Sequence, residues 1–398
     1  MTIMNKNIKL KNKAIVIGGD DYNTLGVIRS LGEKDVPIYA IIVTDASDSF
    51  VRHSKYIKKY WLIKKLKNDI LEILLEKINN DNELMVIIPT SDFVVKVIDQ
   101  HIDLLKKKYI MPNISMKSGN ISYFINKYEM NKVANEVGLD TPNTVLFNLR
   151  DQTNIDRLDK LTYPCIVKPL ENERGTIKKI NNKEELIRHI QILKEENDKV
   201  MIQAYIHGKN SNMIELIGFV STTGEIITPG IIHKIREYPI DAGSTAFGFF
   251  SDNVFNLDFD KIKAFIKKIG YKGIFDLEFK YLDGKAFFIE INFRIGAPHY
   301  AYNKAGVNIP YLYYLDTSGF DISDMNKNVK IRHKLIVEFN DLFNVKYRSI
   351  SLYRWIKSVL EADSYAIYNK KDIKPFIFYL IKLISALFGS IKSKKRGL

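Results

Sequence analysis

The stretch Glu278–Arg294 reads EFKYLDGKAFFIEINFR and places charged and amide side chains on two runs that otherwise have the apolar composition of buried strands. Successive side chains of a strand point to opposite faces of a sheet. The residues that this alternation places on a common face are Asp276, Glu278 and Lys280 in the first run and Glu290, Asn292 and Arg294 in the second. The pattern predicts two strands that each carry one polar face.

Asp283-Gly284 lies between the two runs and is a signal for a β-hairpin. A loop with an odd number of residues brings Glu278 and Glu290 to the same side of the sheet, whereas a two-residue loop does not. We expect the first arrangement, in which two carboxylates and an amide oxygen converge. Hard oxygen ligands of this kind suit Mg²⁺, which completes its coordination with water and substrate phosphates. The alternative is a half-exposed hairpin with its charges in water.

The sequence Glu290-Ile-Asn-Phe-Arg294-Ile-Gly resembles the metal-binding signature of the ATP-grasp superfamily, which is usually Glu-Ile-Asn-Pro-Arg. Phe293 replaces the usual proline, which alters strand rigidity and leaves the ligands unchanged. Glu278 matches the first metal carboxylate of that family. The resemblance implies that Glu278, Glu290 and Asn292 bind Mg²⁺ or Mn²⁺. It also implies that Arg294 is catalytic and stabilises the charge on an acylphosphate.

The composition limits the possible functions. A chain of 398 residues is expected to form two or three domains. Its single cysteine, Cys165, excludes a disulfide framework and a Cys-based zinc site. The net charge of +14 favours anionic partners, namely a nucleotide, an acidic substrate or an anionic membrane surface. No nucleic-acid-binding motif is recognisable, so nucleic acid is not a predicted partner. The first residues lack the apolar segment of a secretory signal, so the expected location is cytoplasmic.

The N-terminal region alternates short apolar runs with helical spacing. The runs Ala14–Gly18, Val36–Val43 and Leu84–Pro89 predict strands of a parallel α/β sheet. Ligands bind such sheets at the carboxyl ends of the strands. The polar residues at those ends, which we predict on the substrate side, are Asp20, Asp21, Ser91 and Asp92.

Two further segments resemble the phosphate-binding parts of the same superfamily. Lys127 begins a predicted helix and matches a lysine that reaches the nucleotide phosphates. Lys168 interrupts the apolar run Cys165–Pro169, and a lysine in such a run needs an anionic partner or an exit to solvent. The resemblance implies phosphate binding by Lys168 and by a lid loop containing Arg174 and Gly175.

The segment Val200–Gly208 resembles the strand and hinge that hold adenine in this superfamily. The resemblance implies a set of adenine contacts, which consists of Gln203, Ala204, Tyr205 and Ile206. The family usually has an acidic residue for the ribose shortly after this hinge. Asn210 or Glu215 is the candidate to replace it here.

The segment His233–Pro239 resembles the carboxylate–amine ligase branch that includes the D-aspartate ligases. Its Lys-x-Arg pattern implies that Lys234 and Arg236 face the transferred phosphoryl group. Strand alternation puts both side chains on one face, so both are expected to point into the site. The alternative is a basic strand on the protein surface.

The C-terminal tail has a different composition. Residues Pro375–Ile391 are almost wholly apolar and precede Lys392, Lys394, Lys395 and Arg396. Seventeen residues are short for a transmembrane span. A stripe of Tyr379, Lys382 and Ser385 predicts either a helix at an anionic membrane surface, through residues 375–398, or a helix docked on the protein.

These observations together predict an α/β protein. We expect a Rossmann-like domain over residues 1–122, a two-subdomain ATP-grasp fold over 123–325 with its lid at about 160–205, and a helical C-terminal extension over 326–398. The implied function is an ATP-dependent ligase that activates a carboxylate as an acylphosphate and joins it to an amine, in the manner of D-aspartate ligases of cell-wall synthesis. The alternative is a non-catalytic nucleotide-binding or membrane-associated scaffold on this fold.

Overall fold

The computed structural model describes residues 12–64, 66–78, 84–150, 161–170, 177–193, 198–208, 212–240, 243–252, 257–323, 325 and 332–395, with side chains described as far as residue 385 in the last helix.

The N-terminal strands form one parallel sheet in the order β3-β2-β1-β4-β5. The strands are β1 (Ala14–Gly19), β2 (Ile38–Val43), β3 (Ile57–Ile63), β4 (Met85–Pro89) and β5 (Tyr109–Ile110). The intervening helices are α1 (Tyr22–Gly32), α2 (Lys67–Glu72, continued by a π-helical turn), α3 (Asp92–Gln100) and α4 (Ile102–Leu105). The central strands are fully buried because helices cover both faces, which explains their uninterrupted apolar runs. The sequence analysis did not identify β3, a half-exposed edge strand that contains two lysines.

A second, antiparallel sheet has the order β7-β10-β8-β9 and contains the strands of the segment predicted as the lid. Its strands are β7 (Thr144–Asn148), β8 (Cys165–Pro169), β9 (Lys178–Ile180) and β10 (Lys199–Ala204), with β6 (Asn113–Ile114) preceding them in the chain. The helices around this region are α5 (Asn120–Ile125), α6 (Lys127–Glu136) and α7 (Lys183–Leu193). Strand β10 pairs with β8 so that Gln203 lies opposite Ile166.

The third and largest sheet has eight strands, seven of them in the order β17-β16-β11-β13-β14-β18-β19, with β12 paired to β11. Its strands are β11 (Met213–Val220), β12 (Ile226–Ile227), β13 (Ile231–Tyr238), β14 (Ser244–Ser251), β16 (Ile274–Leu282), β17 (Lys285–Asn292), β18 (His333–Ile336) and β19 (Ser364–Tyr365), while β15 (Tyr271–Lys272) pairs with β6. The remaining helices are α8 (Phe259–Ile269), α9 (His299–Ala305), α10 (Ile309–Thr317), α11 (Glu338–Lys346), α12 (Leu352–Glu361) and α13 (Lys374–Lys395). A parallel sheet followed by two largely antiparallel sheets is the expected architecture, but the mainly helical extension also adds β18 and β19 to the large sheet.

The C-terminal extension is tied to the N-terminal sheet domain by buried polar contacts. Arg29 of α1 is 0% exposed, and its Nε donates to Asp372 Oδ2 at 3.0 Å. Ser54 Oγ donates to the same carboxylate oxygen at 2.8 Å. Glu338 accepts hydrogen bonds from the backbone N–H groups of residues 366–368. One apolar core therefore includes α1, one face of the large sheet and the start of α13.

The first turns of α13 are docked on the protein, as one of the two predictions for the tail stated. Tyr379 packs on Phe339 at 4.8 Å and on Phe50 at 4.9 Å between ring centroids. Lys382 Nζ donates to Asp20 Oδ2 at 2.8 Å. None of the helices in the described part of the chain combines the length and the apolar composition that a bilayer crossing requires.

Candidate active site

The hairpin of β16 and β17 brings Glu278 and Glu290 together by a route that differs from the expected one. The turn has two residues, Asp283 and Gly284, both with positive φ (49° and 82°), so the expectation of an odd-numbered loop was wrong. A β-bulge at Ile289 supplies the extra residue instead. Beyond the bulge, Glu278 pairs with Glu290. The two carboxylates consequently lie on the same face of the sheet.

A carboxylate-rich region surrounds Glu278, and we call it the carboxylate side: Glu215, Asp276, Glu278 and Lys234. Glu215 lies opposite Glu278 on the neighbouring strand β11. Lys234 Nζ lies 3.6 Å from Glu215 Oε1 and 3.7 Å from Glu237 Oε2. Asn292 Nδ2 donates to Asp276 Oδ2 and to Glu278 Oε1, both at 3.5 Å. Two acidic side chains, Glu215 and Glu237, therefore lie within ion-pair distance of one buried lysine.

The charges on this side perturb one another strongly. Burial raises the pKa of Glu278 to about 7. Lys234 lowers this pKa, whereas the negative charges of Glu290 and Glu215 raise it further. Burial, Glu215 and Glu278 raise the pKa of Asp276 well above its usual range. Asp276 Oδ1 is buried and accepts no hydrogen bond from the described residues. An additional cation would therefore be stabilised here.

The opposite wall of the site is cationic, and we call it the lysine side: Lys127, Lys168 and the carboxylate of Glu290. Lys127, in the first turn of α6, donates to Glu290 Oε2. Lys168 Nζ donates to Gln203 Oε1 at 3.0 Å and is only 6% exposed. Burial and the nearby Lys127 lower the pKa of Lys168 to about 8. Burial alone would raise the pKa of Glu290, but attraction by Lys127 and Lys168 is stronger and lowers this pKa well below its usual range.

Arg294 links the hairpin to the N-terminal sheet. Its Nε donates to Asp92 Oδ1 at 3.1 Å, and its Nη1 donates to the carbonyl oxygen of Ile295 at 3.1 Å. Burial opposes the charge of Arg294, but Asp92, Asp276 and Glu278 raise its pKa. A permanently charged guanidinium thus lies between the predicted metal ligands and the predicted substrate side.

Most of these groups line one cavity of about 710 Å³, but Lys127 and Asn292 are not among its lining residues and reach it through Glu290 and Glu278. From the N-terminal sheet it receives Asp21, Tyr22, Asn23, Thr90, Ser91 and Asp92. From the lid and its hinge it receives Ile166, Lys168, Ile177, Lys179, Gln203, Ala204, Tyr205 and Ile206. From the large sheet and its loops it receives Met213, Glu215, Lys234, Glu237, Asp276, Glu278, Lys280, Ile289, Glu290 and Arg294. The cavity therefore joins apolar and polar residues of the second sheet and its hinge to a charged centre and to polar residues of the N-terminal sheet domain.

The structure departs from the sequence analysis at Arg236. The pairing of β13 with β14 is irregular on both sides of this residue, and Glu237 lines the cavity together with Lys234. Arg236 instead donates to Asp341 Oδ1 and Oδ2, at 2.8 and 2.6 Å, and does not line the cavity. The expectation that Lys234 and Arg236 share one face is wrong, because strand alternation does not continue through such an irregularity.

The remaining predicted site residues lie in different parts of the structure. Asp20 accepts from Ser49 Oγ at 2.6 Å and from Lys382, and it does not line the cavity. Glu215, a candidate for the ribose, lies beside Lys234 at the charged centre. Arg174, Gly175 and Asn210 lie outside the described residues. Sequence reasoning missed Glu237 and Tyr22, since neither interrupts an apolar run in a recognisable way.

The donor set is compatible with Mg²⁺ when substrate oxygens are included. In the described part of the chain, no group of three or more His, Cys, Asp or Glu side chains is arranged to hold a metal ion. The predicted set contains two carboxylates and one amide, and Mg²⁺ ordinarily takes its remaining ligands from phosphates and water. The carboxylate oxygen of Asp276 that accepts no hydrogen bond and the raised pKa of Glu278 both favour a cation in this position.

Several known proteins are similar to the chain. No family model matches it. D-aspartate ligase of Enterococcus faecium is 23% identical over 317 residues, which cover 74% of each chain. The carbamoyl phosphate synthase large chain of Clostridium botulinum is 22% identical over 83% of this chain, but the chain spans only 30% of that protein.

Two solved structures show the same fold. The L-amino acid ligase of Bacillus licheniformis superposes with a TM-score of 0.61 at 13% identity, over 81% of this chain and 79% of that one. The biotin carboxylase domain of 2-oxoglutarate carboxylase from Hydrogenobacter thermophilus, in complex with MgADP, superposes with a TM-score of 0.62 at 18% identity, over 80% and 73% of the two chains. The relatives are enzymes, which disfavours the non-catalytic alternative. The comparisons show that the chain has the fold of ATP-grasp enzymes and that its sequence is similar to that of a carboxylate–amine ligase.

Proposed function

We propose that the protein transfers the γ-phosphoryl group of ATP to a substrate carboxylate and then joins the activated acyl group to an amine. The observation that carries this proposal is the cavity in which Lys168, Glu290, the carboxylate side and Arg294 meet polar residues of the N-terminal sheet domain. Phosphoryl transfer depends mainly on positioning and charge neutralisation, and these are the properties of the groups that line it.

The nucleotide is expected to lie along the lid. Adenine would fit against Ile166, Ile177 and Met213, with the backbone of Ala204–Ile206 at its edge. Lys127 and Lys168 would bind the phosphates, and Lys127 would then exchange Glu290 for a phosphate oxygen. Arg174 and Gly175 are proposed phosphate contacts, and Asn210 is the proposed ribose contact.

Glu278, Glu290 and Asn292 would hold Mg²⁺, or Mn²⁺, on the carboxylate side. A bound divalent ion there would neutralise phosphate charge. Lys234 lies next to these ligands, and Glu215 and Glu278 raise its pKa although burial opposes this, so it stays protonated and can donate to a phosphoryl oxygen.

The proposed reaction has two steps, phosphoryl transfer and acyl transfer. A carboxylate oxygen of the substrate attacks the γ-phosphorus, the bond to the β-phosphate oxygen breaks, and ADP leaves. The nitrogen of a neutral amine attacks the acyl carbon, and inorganic phosphate departs as the amine loses a proton. Arg294 lies where it can stabilise the negative charge of the acylphosphate and of the tetrahedral adduct.

The substrate side fits a molecule that carries both charges of an amino acid. Arg294 can bind a carboxylate, while Asp21 and Asp92 line the same cavity and can bind an ammonium group, although Asp92 also pairs with Arg294. We propose an amino acid, or a precursor that ends in one, as a substrate. A role in cell-wall or cell-surface polymer synthesis follows by analogy with D-aspartate ligase.

We also propose a cytoplasmic location, where ATP is abundant. Peripheral attachment through residues 375–398 remains part of this proposal. Tyr379 and Lys382 face the protein, so only the opposite side of α13 is available for it.

A substrate screen tests the proposed reaction. The purified protein is incubated with ATP, Mg²⁺ and pairs of amino acids of both configurations, and phosphate release is measured together with the mass of the product. An amide product formed in equal amount to phosphate supports the proposal. Phosphate release without any condensed product across the screen, or no ATP consumption, contradicts it.

A further inference from the structure

Helix α12 presents its apolar residues to solvent. Leu352, Tyr353, Ile356 and Leu360 are 54%, 76%, 45% and 79% exposed. With about 100° of rotation per residue, they fall within an arc of about 100°. A helix of a globular protein normally turns such a stripe toward the core. Helix α12 therefore turns its apolar stripe to solvent and its more polar side to the protein.

Polar contacts on the inner side hold α12 in this orientation. Ser358, opposite the stripe, is buried, and its Oγ accepts from Arg236 Nη2 at 2.8 Å. Trp355 Nε1 donates to the carbonyl oxygen of Glu338 at 3.3 Å. Arg236 is in turn fixed by the fully buried Asp341. The exposed stripe is thus part of a well-anchored structure.

Helix α13 repeats the arrangement. Its polar residues Tyr379 and Lys382 face the protein, as described above, whereas Ile377, Ile381 and Ile384 are 45%, 52% and 50% exposed. These three positions follow a spacing of four and three residues, so they form one stripe along the helix.

The two helices are neighbours on α11. Trp355 of α12 contacts the backbone of Glu338, and Phe376 and Tyr379 of α13 pack on the adjacent Phe339. We call the two stripes together the C-terminal apolar surface: Leu352, Tyr353, Ile356, Leu360, Ile377, Ile381 and Ile384. Exposed apolar clusters of this kind typically mark contacts with partners or membranes.

The positive charge of the region around the C-terminal apolar surface favours an anionic partner. Residues 332–398 contain fourteen Lys and Arg and five Asp and Glu, which gives +9 of the net +14 of the whole chain. Three of the five acids, Glu338, Asp341 and Asp372, are buried. The exposed side chains of α12 include Lys357, beside the stripe and 3.7 Å from Glu361, and Arg354, farther round the helix. Apolar stripes flanked by basic residues are typical of helices that lie in the interface of an anionic bilayer.

We infer that the C-terminal apolar surface docks on an anionic membrane surface, with α12 as well as α13 inserted at the level of the lipid headgroups. This inference does not depend on the proposed ligase chemistry. It goes beyond the tail, because α12 precedes the predicted membrane segment and is fixed to the large sheet through Ser358.

Vesicle co-sedimentation with the full chain tests the inference. The probes are phosphatidylcholine vesicles with and without phosphatidylglycerol. We expect binding only to the anionic vesicles and a decrease with salt. The combined substitution Leu352→Ser, Tyr353→Ser, Ile356→Ser and Leu360→Ser should weaken binding by about tenfold or more. Arg354→Glu with Lys357→Glu should weaken it as well.

Matched controls distinguish the alternatives. Ile192→Ser removes an equally exposed isoleucine from α7, 67% exposed, and should leave binding unchanged. Leu360→Glu tests α12 if the combined variant fails to fold, as judged by its thermal melt. Three results would overturn the inference: no vesicle binding by the native chain, binding that is lost only when residues 386–398 are deleted, or a native dimer that the α12 substitutions convert to a monomer.

Discussion

Glu278 and Glu290 are paired across one hairpin, yet their protonation equilibria shift in opposite directions. Burial raises the pKa of Glu278, and its carboxylate neighbours reinforce the effect. The pKa of Glu290 is lowered because Lys127 and Lys168 lie against it and outweigh its burial. The residue type is the same and the two residues face each other on adjacent strands, so the difference arises from the elements packed on each side.

The contrast gives the two sides separate roles. The lysine side is built by α6 and β8 and is arranged for anionic phosphates. The carboxylate side is built by β11, β13 and β16 and is arranged for a cation. Glu290 belongs to both, since it pairs with Lys127 and also lies opposite Glu278. The following predictions change one side at a time.

The largest effect is expected for Glu290→Gln, which alters both sides. The loss of a charged metal ligand should remove several kcal/mol of transition-state stabilisation. This corresponds to a decrease in kcat of roughly 100-fold or more, measured as Mg²⁺-dependent phosphate release. Glu136→Gln, at an exposed glutamate of α6, is the control. Nearly normal turnover in a folded Glu290→Gln protein would remove this residue from the metal site.

Arg236→Met should affect neither the lysine side nor the carboxylate side, because Arg236 does not line the cavity. It leaves the fully buried carboxylate of Asp341 without its guanidinium partner, so the free energy of unfolding should fall by about 3 kcal/mol. The kcat of the folded protein should remain unchanged. Adding Asp341→Leu should recover most of the stability, as measured by denaturant unfolding. A large decrease in kcat with unchanged stability would return Arg236 to the site.

Lys168→Met tests the lysine side alone. Lys168 is buried and its nearest described acceptor is the neutral Gln203, so we expect an anionic ligand as its main partner. The dissociation constant for ATP should rise by roughly tenfold, about 1.4 kcal/mol, in calorimetry. The apo protein should lose little stability, because the variant also removes a buried charge. Lys199→Met, on an exposed position of the lid sheet, should bind ATP normally; equal affinities in both variants would contradict the assignment.

Glu278→Gln tests the carboxylate side through pH. In the folded protein Glu278 keeps its proton up to a pH of about 7, whereas in the unfolded chain it loses it near 4.5. The folded state therefore binds more protons between these values, and the stability of the native protein falls as pH rises through them. Without Mg²⁺, the variant should equal the native protein at pH 4 and exceed it by on the order of 3 kcal/mol at pH 8.

The controls for this experiment are an exposed glutamate and the metal. Glu76→Gln should show no such pH dependence. Addition of Mg²⁺ at pH 8 should stabilise the native protein more than Glu278→Gln. A constant difference between native protein and variant at every pH would show that the carboxylate side does not suppress ionisation of Glu278.

The sequence was sufficient to identify, as candidate site residues, charged side chains that interrupt apolar strands. Lys168, Glu278 and Glu290 could be identified because a buried charge requires a partner. Two of the errors concern strand irregularities, whereas Asp20 is drawn away from the cavity by Ser49 and Lys382. The bulge at Ile289 places Glu290 with Glu278 despite a two-residue turn, and the irregular pairing around Arg236 turns this side chain out of the cavity. A single residue inserted into a strand leaves no compositional signal, so alternation cannot locate it.

The partners of the site residues were also beyond sequence analysis. Glu215 is a lone acid in an apolar strand, which is the same signal as that of Lys168. Its position beside Lys234 depends on the order of β11, β13 and β16 in the sheet, which the linear pattern does not specify. The docking of α13 by its polar stripe was one of two alternatives, and only the neighbouring Phe50 and Phe339 decide it.

The buried pair of Arg29 and Asp372 has a consequence for biosynthesis. More than 340 residues separate the two side chains along the chain. While the ribosome is still translating the central region, α1 has no carboxylate to neutralise the guanidinium that it buries. The N-terminal sheet can therefore reach its final packing only after the region around Asp372 has emerged. We expect nascent chains that stall before this point to remain sensitive to proteases and dependent on chaperones.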